Sequence, residues 1–267
     1  MSYQTLSYLD VLGAGLLLLI NALISIVMRL GLEKRLLLAG LRMIVQLALM
    51  GLVLKALFQS ASPLFTVLAA MVMLGFAARE AMVRQDRKFS GGWSYALGAG
   101  SMTVAGTLVT LFALSGQLHA DPWYDPRYAI PILGMVLGNT MNGVSIGLDR
   151  LVSACVRDRT AIEARLALGA EARVALHGPV REAMRSGMIP TINGMSAVGL
   201  VSIPGMMTGQ ILAGVDPVEA VKYQLLIMFL IGGGTALGLC MAVFSGTWRL
   251  SDHRHRLRLD RLDGLKE

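Results

Sequence analysis

The sequence predicts an all-α membrane protein with seven transmembrane helices. Of its 267 residues 55% are hydrophobic and only 15% are charged, whereas soluble domains average about 25% charged residues. The charged residues are clumped, and long charge-free runs lie between them. A helix needs about 20 apolar residues to cross a hydrocarbon core about 30 Å thick. The 30 glycines and 17 methionines also suit helices that pack closely in lipid.

The predicted spans follow from the apolar runs taken in order. They cover approximately residues 11–28, 36–58, 63–78, 95–114, 130–148, 189–213 and 225–247. The first run lacks a basic segment before it and a small-residue cleavage site after it, so it is not interpreted as a signal peptide. We expect one membrane-spanning domain over residues 1–267, with a cytoplasmic loop at 149–186 and a cytoplasmic tail at 249–267.

The basic residues select an orientation. Alternate loops hold 20 of the 24 Lys and Arg residues, the opposite loops hold three, and Arg42 lies inside the second span. Since cytoplasmic loops are enriched in Lys and Arg, the N-terminus is predicted outside and the C-terminus in the cytoplasm. A bacterial-type inner (plasma) membrane location is expected. The tail from Ser251 onward fits either a short interfacial helix or a disordered segment.

Several function classes are excluded by composition and motifs. The net charge of +7 and pI of about 9.8 are explained by basic loops, so no nucleic-acid partner is predicted. Neither Cys155 nor Cys240 belongs to a metal-binding or disulfide motif, and a phosphate-binding loop is missing. We therefore expect no enzyme activity and no cofactor in this chain.

The fifth span divides into two faces. Its apolar face is expected to meet lipid, and its small and polar face to meet other helices or a water-filled path. Tight helix packing, with Asn142 and Ser145 as interhelical hydrogen bonds, is the alternative to a pathway or dimer-interface role. The apolar face carries Leu133, Leu137, Met141, Val144 and Leu148, and the polar face carries Pro131, Gly134, Gly138, Asn142, Ser145 and Asp149.

The sixth span contains Pro204 near its middle. Proline removes a backbone donor, and a broken backbone at membrane depth persists only beside protein or water. Such breaks line substrate paths in transporters, and a passive kink is the alternative.

Arg42 and Gln46 share a face of the second span. Arg42 either has a functional role inside the membrane or extends its guanidinium to the membrane–water interface. The predicted pathway residues are Arg42, Gln46, Asn139, Asn142, Ser145, Asn193, Pro204, Met206, Met207 and Gln210.

The polar loop contains a short amphipathic segment from Glu163 to Ala170. A small-residue helix that breaks at Gly169 suits a docking element for a partner protein, although an ordinary surface helix has the same pattern. We predict that Glu163, Ala164, Gly169 and Ala170 dock a partner protein.

The sequence resembles the FetB-type permeases, which are membrane subunits of an ABC transporter linked to iron export. The resemblance covers nearly the whole chain apart from the tail. It rests on Ile189–Asn193, Val198–Ile211, Asp216-Pro217, Val221–Gln224, Arg42 with Gln46, and Ile130–Ile132 with Gly134, Met135, Gly138 and Asn139. Glu163-Ala164 and Gly169-Ala170 are similar to the EAA motif of ABC importers, although Arg165 stands where that motif has alanine.

The resemblance implies a permease subunit that works as a homodimer with two cytoplasmic ATPase subunits. ATP and Mg²⁺ would bind the ATPase, and iron would be exported. One alternative is an ABC permease for another metal, phosphate or a nucleotide sugar, since the family's plant relatives are linked to aluminium tolerance and nucleotide-sugar transport. A gradient-driven secondary transporter is another. The metal ligands stay open, because the spans carry no His and no Asp or Glu away from their ends.

Overall fold

The computed structural model describes residues 7–60, 62–85, 87–118 and 121–263. These residues form no β-strand and only isolated bridges, which confirms the all-α class. A π-helical turn, Phe112–Gln117, extends α4. The helices are α1 Tyr8–Val27, α2 Glu33–Ser60, α3 Pro63–Val83, α4 Trp93–Leu111, α5 Pro126–Arg157, α6 Arg159–Ala167, α7 Ala172–Ala175, α8 His177–Ala197, α9 Gly205–Leu212 and α10 Pro217–Leu250.

Six helices in the described residues are long and apolar enough to cross a membrane, namely α1 to α5 and α10. The run predicted as the sixth span, 189–213, does not form one continuous helix. Helix α8 ends at Ala197, Gly199 adopts a left-handed φ of +90°, and α9 begins after Pro204. The predicted break at Pro204 is confirmed, but the interruption begins earlier because the chain already turns at Gly199.

The described residues form two compact units. The first contains α1 and α2 together with residues 212–214. Its two helices form a hairpin in which Leu18 contacts Gly40, and Ser25 stabilises the connection. The Ser25 hydroxyl donates to the Glu33 carboxylate at 3.0 Å and accepts from the Leu32 backbone N–H at 3.0 Å.

The second unit, from α3 to the C-terminal segment, is built around α5 and α10. Small residues allow the helices to approach closely. A Cβ at Gly238 would touch Thr140, and one at Gly246 would lie 3.1 Å from Leu151. The core includes the fully buried side chains of Leu148, Leu151 and Leu239.

The prediction that the apolar face of α5 meets lipid is wrong. Leu133, Leu137, Val144 and Leu148 are all buried, at 5% exposure or less. Helix α5 is central in this unit and packs against α3, α4, α8 and α10, so its apolar face fills the core. The small and polar face is the less buried one.

Helix α8 runs antiparallel to α5 through a glycine contact. A Cβ built on Gly143 would lie 3.1 Å from the Gly187 carbonyl oxygen, and one on Gly147 would lie 3.5 Å from that of Ala183. At Gly143 and Gly187 a side chain on either residue would crowd the backbone of the other helix, so glycine permits the close approach there. The buried stripe of α8 therefore consists of small residues and one threonine: Pro179, Ala183, Gly187 and Thr191.

The chain after α10 forms an ordered strap, residues 251–263, on what we name the basic end of the second unit. The basic end comprises the ends of α3, α5 and α10 and the starts of α4 and α8. Ser90 donates its N–H to the Arg261 carbonyl at 2.9 Å, and Ala172 donates its N–H to His255 Nδ1 at 3.2 Å. Leu259 and Leu262 of the strap are buried. The segment is therefore ordered without being a regular interfacial helix.

Candidate functional site

A polar groove of about 240 Å³ lies between the end of α3 and the middle of α5. Arg84, directly after α3, donates an Nη hydrogen bond to Asn142 Oδ1 and lies 3.7 Å from the Glu80 carboxylate. The contact joins residues 58 positions apart in the sequence. The groove is lined by Arg84, Asn142, Ser145, Ile146, Asp149 and Arg150.

Charged pairs close the groove on the side of α8. Glu182 lies 2.8 Å from Arg157 and 3.8 Å from Arg150. The side-chain hydrogen bond from Arg157 holds the pKa of Glu182 below its ordinary value, and it does the same for Asp158. Both carboxylates therefore stay ionised at neutral pH. These pairs are partly exposed, so they orient α5 and α8 more than they stabilise the fold.

The depth of the groove is informative. Asn142 lies two turns before Asp149, about 10 Å further from the basic end at 1.5 Å per residue. The Asn142 amide lies inside the predicted fifth span, 130–148, where lipid offers no hydrogen-bond partner. Arg84 follows the predicted end of the third span and reaches Asn142 with its guanidinium. The open side of the groove therefore requires protein or water as its neighbour.

The other predicted residues of α5 have different surroundings. Ser145 is 4% exposed and lines the groove beside Asn142. Asn139 donates its side-chain N–H to the Met135 carbonyl at 2.8 Å, so one of its donors is satisfied within its own helix. Of the α5 candidates, Asn142 and Ser145 are brought together in the groove.

The predicted residues after Thr191 lie on α8, the turn and α9. Asn193 is exposed on the outer face of α8. The Pro204 carbonyl accepts from the Thr208 N–H at 3.0 Å, which begins α9. Met206 is 37% exposed, Met207 is half-buried, and Gln210 Oε1 is buried without a partner among the described residues. Gly143 and Gly147 of α5 contact α8 rather than α9.

Arg42 and Gln46 lie one turn apart on α2, in the first unit, and both are exposed. In the described part of the chain, no group of three or more His, Cys, Asp or Glu side chains is positioned to hold a metal ion. All of these assignments stay predictions.

The predicted coupling segment, Glu163–Ala170, forms the second half of α6 and its C-terminal cap. Ala170 donates its N–H to the Arg165 carbonyl at 3.1 Å and Gly169 donates to Leu166 at 3.0 Å, while Gly169 has φ +87°. This is the Schellman arrangement, in which glycine ends a helix. Ile162 anchors the helix in the core, and Leu168 is 88% exposed at its tip.

The acidic and small residues of α6 lie outward. Glu163 pairs with Arg159 at 2.8 Å across one exposed turn. Ala164 is exposed and Ala170 half-buried. The loop therefore presents a short, capped helix with an exposed leucine, which is the shape of a docking element.

Three contributors to the site escaped the sequence analysis. Arg84 and Arg150 were counted only as loop charges, and Glu182 was not considered. A signal was present for Arg84, since Glu80 and Arg84 have the i,i+4 spacing of a helical ion pair. No pattern in the single sequence predicted the contact of Arg84 with Asn142.

Comparison with known proteins identifies the family. The UPF0014 family, described as an uncharacterised protein family, matches residues 8–250. A Synechocystis UPF0014 membrane protein is 42% identical over 76% of this chain and 77% of its own. YjkA of Bacillus subtilis is 36% identical over 87% of this chain and 90% of its own.

A third relative carries a functional name. The probable iron export permease protein FetB of Escherichia coli is 33% identical over 93% of this chain and 94% of its own. No solved structure matches the chain. The resemblance drawn from the sixth-span motif is thereby confirmed, and the chain is a membrane protein that belongs to the UPF0014 family.

Proposed function

We propose that this chain is the permease subunit of an ABC transporter that exports iron, driven by ATP hydrolysed on a separate subunit. The structural observation behind transport is the Arg84–Asn142 groove, whose Asn142 amide lies inside the predicted fifth span, where lipid cannot satisfy it. The ATPase and the export direction rest on the resemblance to FetB-type permeases. The E. coli relative is named as a probable iron export permease, which supports iron as the cargo.

The proposed topology has seven crossings, with the N-terminus outside and the C-terminus in the cytoplasm. Helices α8 and α9, with the turn between them, make the sixth crossing. Support comes from the second unit, where α8 starts at the basic end and runs antiparallel to α5. Helix α10 ends at the same basic end, so the chain must cross the membrane between the start of α8 and the start of α10. The inner membrane is the proposed location.

The proposed complex contains two copies of this chain and two ATPase subunits, which bind ATP and Mg²⁺. The segment Glu163–Ala170 docks each ATPase. Support comes from its position at the basic end, its glycine cap and the exposed Leu168. An exposed apolar side chain beside small residues suits insertion into a cleft of another protein.

The test uses inverted membrane vesicles that contain this chain and its ATPase. Uptake of radiolabelled ferrous iron should require ATP and both subunits. A matched sample carries an ATPase unable to hydrolyse ATP and should show only background uptake. Iron uptake driven by an ion gradient without the ATPase would contradict the proposal, as would ATPase stimulation by another solute but not by iron.

A further inference from the structure

Two arginines lie close together at the basic end, where α10 ends and the strap begins. The Arg261 guanidinium donates one Nη hydrogen bond to the Arg249 carbonyl at 2.8 Å and another to the Ser251 carbonyl at 3.3 Å. The Arg249 guanidinium lies over the Trp93 ring, 4.6 Å from its centre, in a cation–π contact. Helix α4 begins at Trp93, so this contact joins the start of α4 to the end of α10. We name Trp93, Arg249 and Arg261 the arginine–tryptophan cluster.

The two guanidiniums of the cluster lack an acidic partner. Arg249 and Arg261 are both half-buried, yet neither forms an ion pair with a carboxylate among the described residues. The strap carboxylates Asp252 and Asp260 pair instead with other arginines of the strap, at 2.9 Å and 2.8 Å. Arg249 Nε is buried and has no hydrogen-bond partner in the described part of the chain. A buried charged donor without a partner is unfavourable, so the cluster is short of an acceptor.

The surroundings of Arg261 carry an excess of positive charge. Burial lowers the pKa of the Arg261 guanidinium, and the neighbouring Arg249 and Arg258 lower it further. Asp260 and Asp252 offset this lowering only in part. A guanidinium nevertheless stays protonated in a protein. An anion bound between the guanidiniums would therefore relieve their mutual repulsion.

The cluster lies where two membrane-length helices reach the membrane surface. Within the described residues, the α4 helix that is long and apolar enough to span a membrane begins at Trp93, and the α10 helix ends at Leu250. The predicted fourth span begins at residue 95 and the predicted seventh ends at residue 247, so Trp93 and Arg249 each lie two residues outside a span. Tryptophan is enriched at this boundary, beside the lipid headgroups. The cluster is therefore at the level of the lipid phosphates.

The adjacent surface of α4 and α10 suits lipid. Trp248 is 69% exposed, Phe244 lies one turn earlier on the same face of α10 and is 58% exposed, and Tyr95 of α4 is 40% exposed. Aromatic side chains at the ends of membrane spans favour the zone between headgroups and acyl chains. A lipid whose phosphate contacts the cluster would have its acyl chains beside Phe244 and Trp248.

We propose that the arginine–tryptophan cluster binds the phosphate of an anionic phospholipid in the leaflet at the basic end. Arg249 and Arg261 donate to the phosphate oxygens, as guanidiniums commonly do, and Trp93 holds the Arg249 side chain in place. A lipid is favoured over an acidic side chain of a partner protein, because the cluster lies at the phosphate level beside exposed aromatic side chains. The bound lipid joins α4, α10 and the strap. This site goes beyond the proposed function and depends on neither iron nor an ATPase.

Lipid retention by the purified protein tests the site. The full-length chain in detergent is incubated with phosphatidylglycerol or with phosphatidylcholine at equal concentration, and bound lipid is measured by native mass spectrometry. We expect the wild type to retain several-fold more phosphatidylglycerol than phosphatidylcholine. Arg249→Gln should lower phosphatidylglycerol retention to the level of phosphatidylcholine. The substitution breaks no side-chain hydrogen bond among the described residues, so the fold should be kept.

Arg254→Gln is the matched control. Arg254 lies on the same strap and is exposed, and its side chain forms no ion pair within the described residues. The substitution therefore removes the same charge at a similar place without touching the cluster. It should retain phosphatidylglycerol as the wild type does.

A second measurement locates the bound lipid. The sequence has three tryptophans, and replacing Trp123 and Trp248 by phenylalanine leaves Trp93 as the fluorescent residue. Phosphatidylglycerol with a nitroxide near the start of one acyl chain should quench Trp93 several-fold more than phosphatidylcholine with the same label. Arg249→Gln should abolish the difference between the two lipids, and Arg254→Gln should preserve it.

The outcomes distinguish the possible ligands. Equal retention of the two lipids by the wild type, or equal loss in Arg249→Gln and Arg254→Gln, overturns the site, because general charge attraction then explains the binding. If inorganic phosphate binds the wild type and displaces phosphatidylglycerol, the ligand is free phosphate and the lipid assignment is wrong. If Arg249→Gln weakens co-purification of the ATPase but leaves lipid retention normal, the cluster contacts a protein and the proposal fails. Wild-type vesicles that fail to export iron would reject the cargo, and not the lipid site.

Discussion

At the residue scale, two residues of the same type differ in their hydrogen bonds or backbone conformation according to their position in the fold. Asn139 and Asn142 are one turn apart on α5, yet Asn139 bonds to its own helix while Asn142 accepts from Arg84 on another. Gly169 and Gly178 both lie in the polar loop region, but only Gly169 has a left-handed backbone. Each difference leads to a substitution with a matched control.

The first prediction concerns the groove. Asn142→Leu and Arg84→Ala should each lower iron transport several-fold per assembled complex, because each removes a polar partner from the path. The double variant should be little worse than either single one, since residues that act through one contact are not additive. Ile146→Leu, in the same groove, is the control and should transport normally. Fully additive losses would show that the Arg84–Asn142 contact is not the functional unit.

The second prediction concerns the cap of α6. Gly169→Ala forces a side chain into the left-handed region, at about 1–2 kcal/mol, and should loosen the docking helix. Gly178→Ala has open space and a helical backbone, so it should be neutral or slightly stabilising. Co-purification of the ATPase and its substrate-stimulated hydrolysis are measured. If the two variants co-purify with the ATPase and stimulate its hydrolysis equally, the Gly169 cap does not contribute to coupling.

At the element scale, α8 depends on glycine where it crosses α5. A Cβ at Gly187 would lie 2.7 Å from the Gly143 carbonyl oxygen, which cannot move without shifting a helix backbone. A Cβ at Gly147 would meet a methyl group of Leu239, which can rotate away. The contact at Gly147 is the tighter of the two, but it involves the end of a side chain, whereas the contact at Gly187 involves a helix backbone.

The third prediction follows from that difference. Gly187→Ala should separate α5 from α8 and destabilise the fold by about 1–3 kcal/mol, as overpacking does. Gly147→Ala should be tolerated better because only a side chain must adjust. The thermal midpoint of the detergent-purified complex reports the effect. The packing assignment would be wrong if Gly147→Ala proved the more damaging substitution.

The fourth prediction concerns the strap. The Arg256 backbone N–H, followed by its guanidinium and the Arg254 N–H, lowers the pKa of Asp252 to about 2. Because the folded pKa lies below the unfolded value of about 3.9, the carboxylate stabilises the strap fully above that value. The contribution is lost as the pH falls toward about 2.

Tryptic cleavage after Arg254 or Arg256 in inverted vesicles measures this effect. Wild-type protection should stay constant between neutral and mildly acidic pH, and Asp252→Asn should be cleaved faster throughout that range. Asp263→Asn, an exposed position on the same strap, should resemble wild type. Faster cleavage of wild type on mild acidification would contradict the assignment to Asp252.

At the scale of the whole molecule, the number of crossings depends on α8 and α9 together. Within the described residues, six helices qualify as spans by length and composition, and the interrupted pair accounts for the seventh crossing of the proposed topology. The position of the α10 start distinguishes six crossings from seven.

The fifth prediction uses single cysteines in a chain in which Cys155 and Cys240 are replaced by alanine. An impermeant thiol reagent added outside should label Asp121→Cys and Val218→Cys but not Glu171→Cys. Val218 is 64% exposed at the start of α10, and the other two positions are also exposed. Labelling of Val218→Cys only from the cytoplasmic side would mean that α8 and α9 do not cross. If the outside reagent labelled Glu171→Cys but not Asp121→Cys, the orientation of the chain in the membrane would be the opposite of the one proposed.

The sequence by itself determined the features that local chemistry controls. Apolar runs identify the spans because a helix satisfies its own backbone in lipid. The break near Pro204, the cap at Gly169 and the polar stripe of α5 follow from single residues and helical periodicity. The family resemblance followed from a contiguous motif.

Only the tertiary structure decided which neighbours those features meet. Periodicity separated the two faces of α5, but it assigned the apolar face to lipid, whereas four surrounding helices make that face the core. The Arg84–Asn142 bond and the Ser90–Arg261 bond join residues 58 and 171 positions apart. Such contacts depend on where whole helices pack, and packing depends on shape complementarity among distant segments, which a local pattern does not encode.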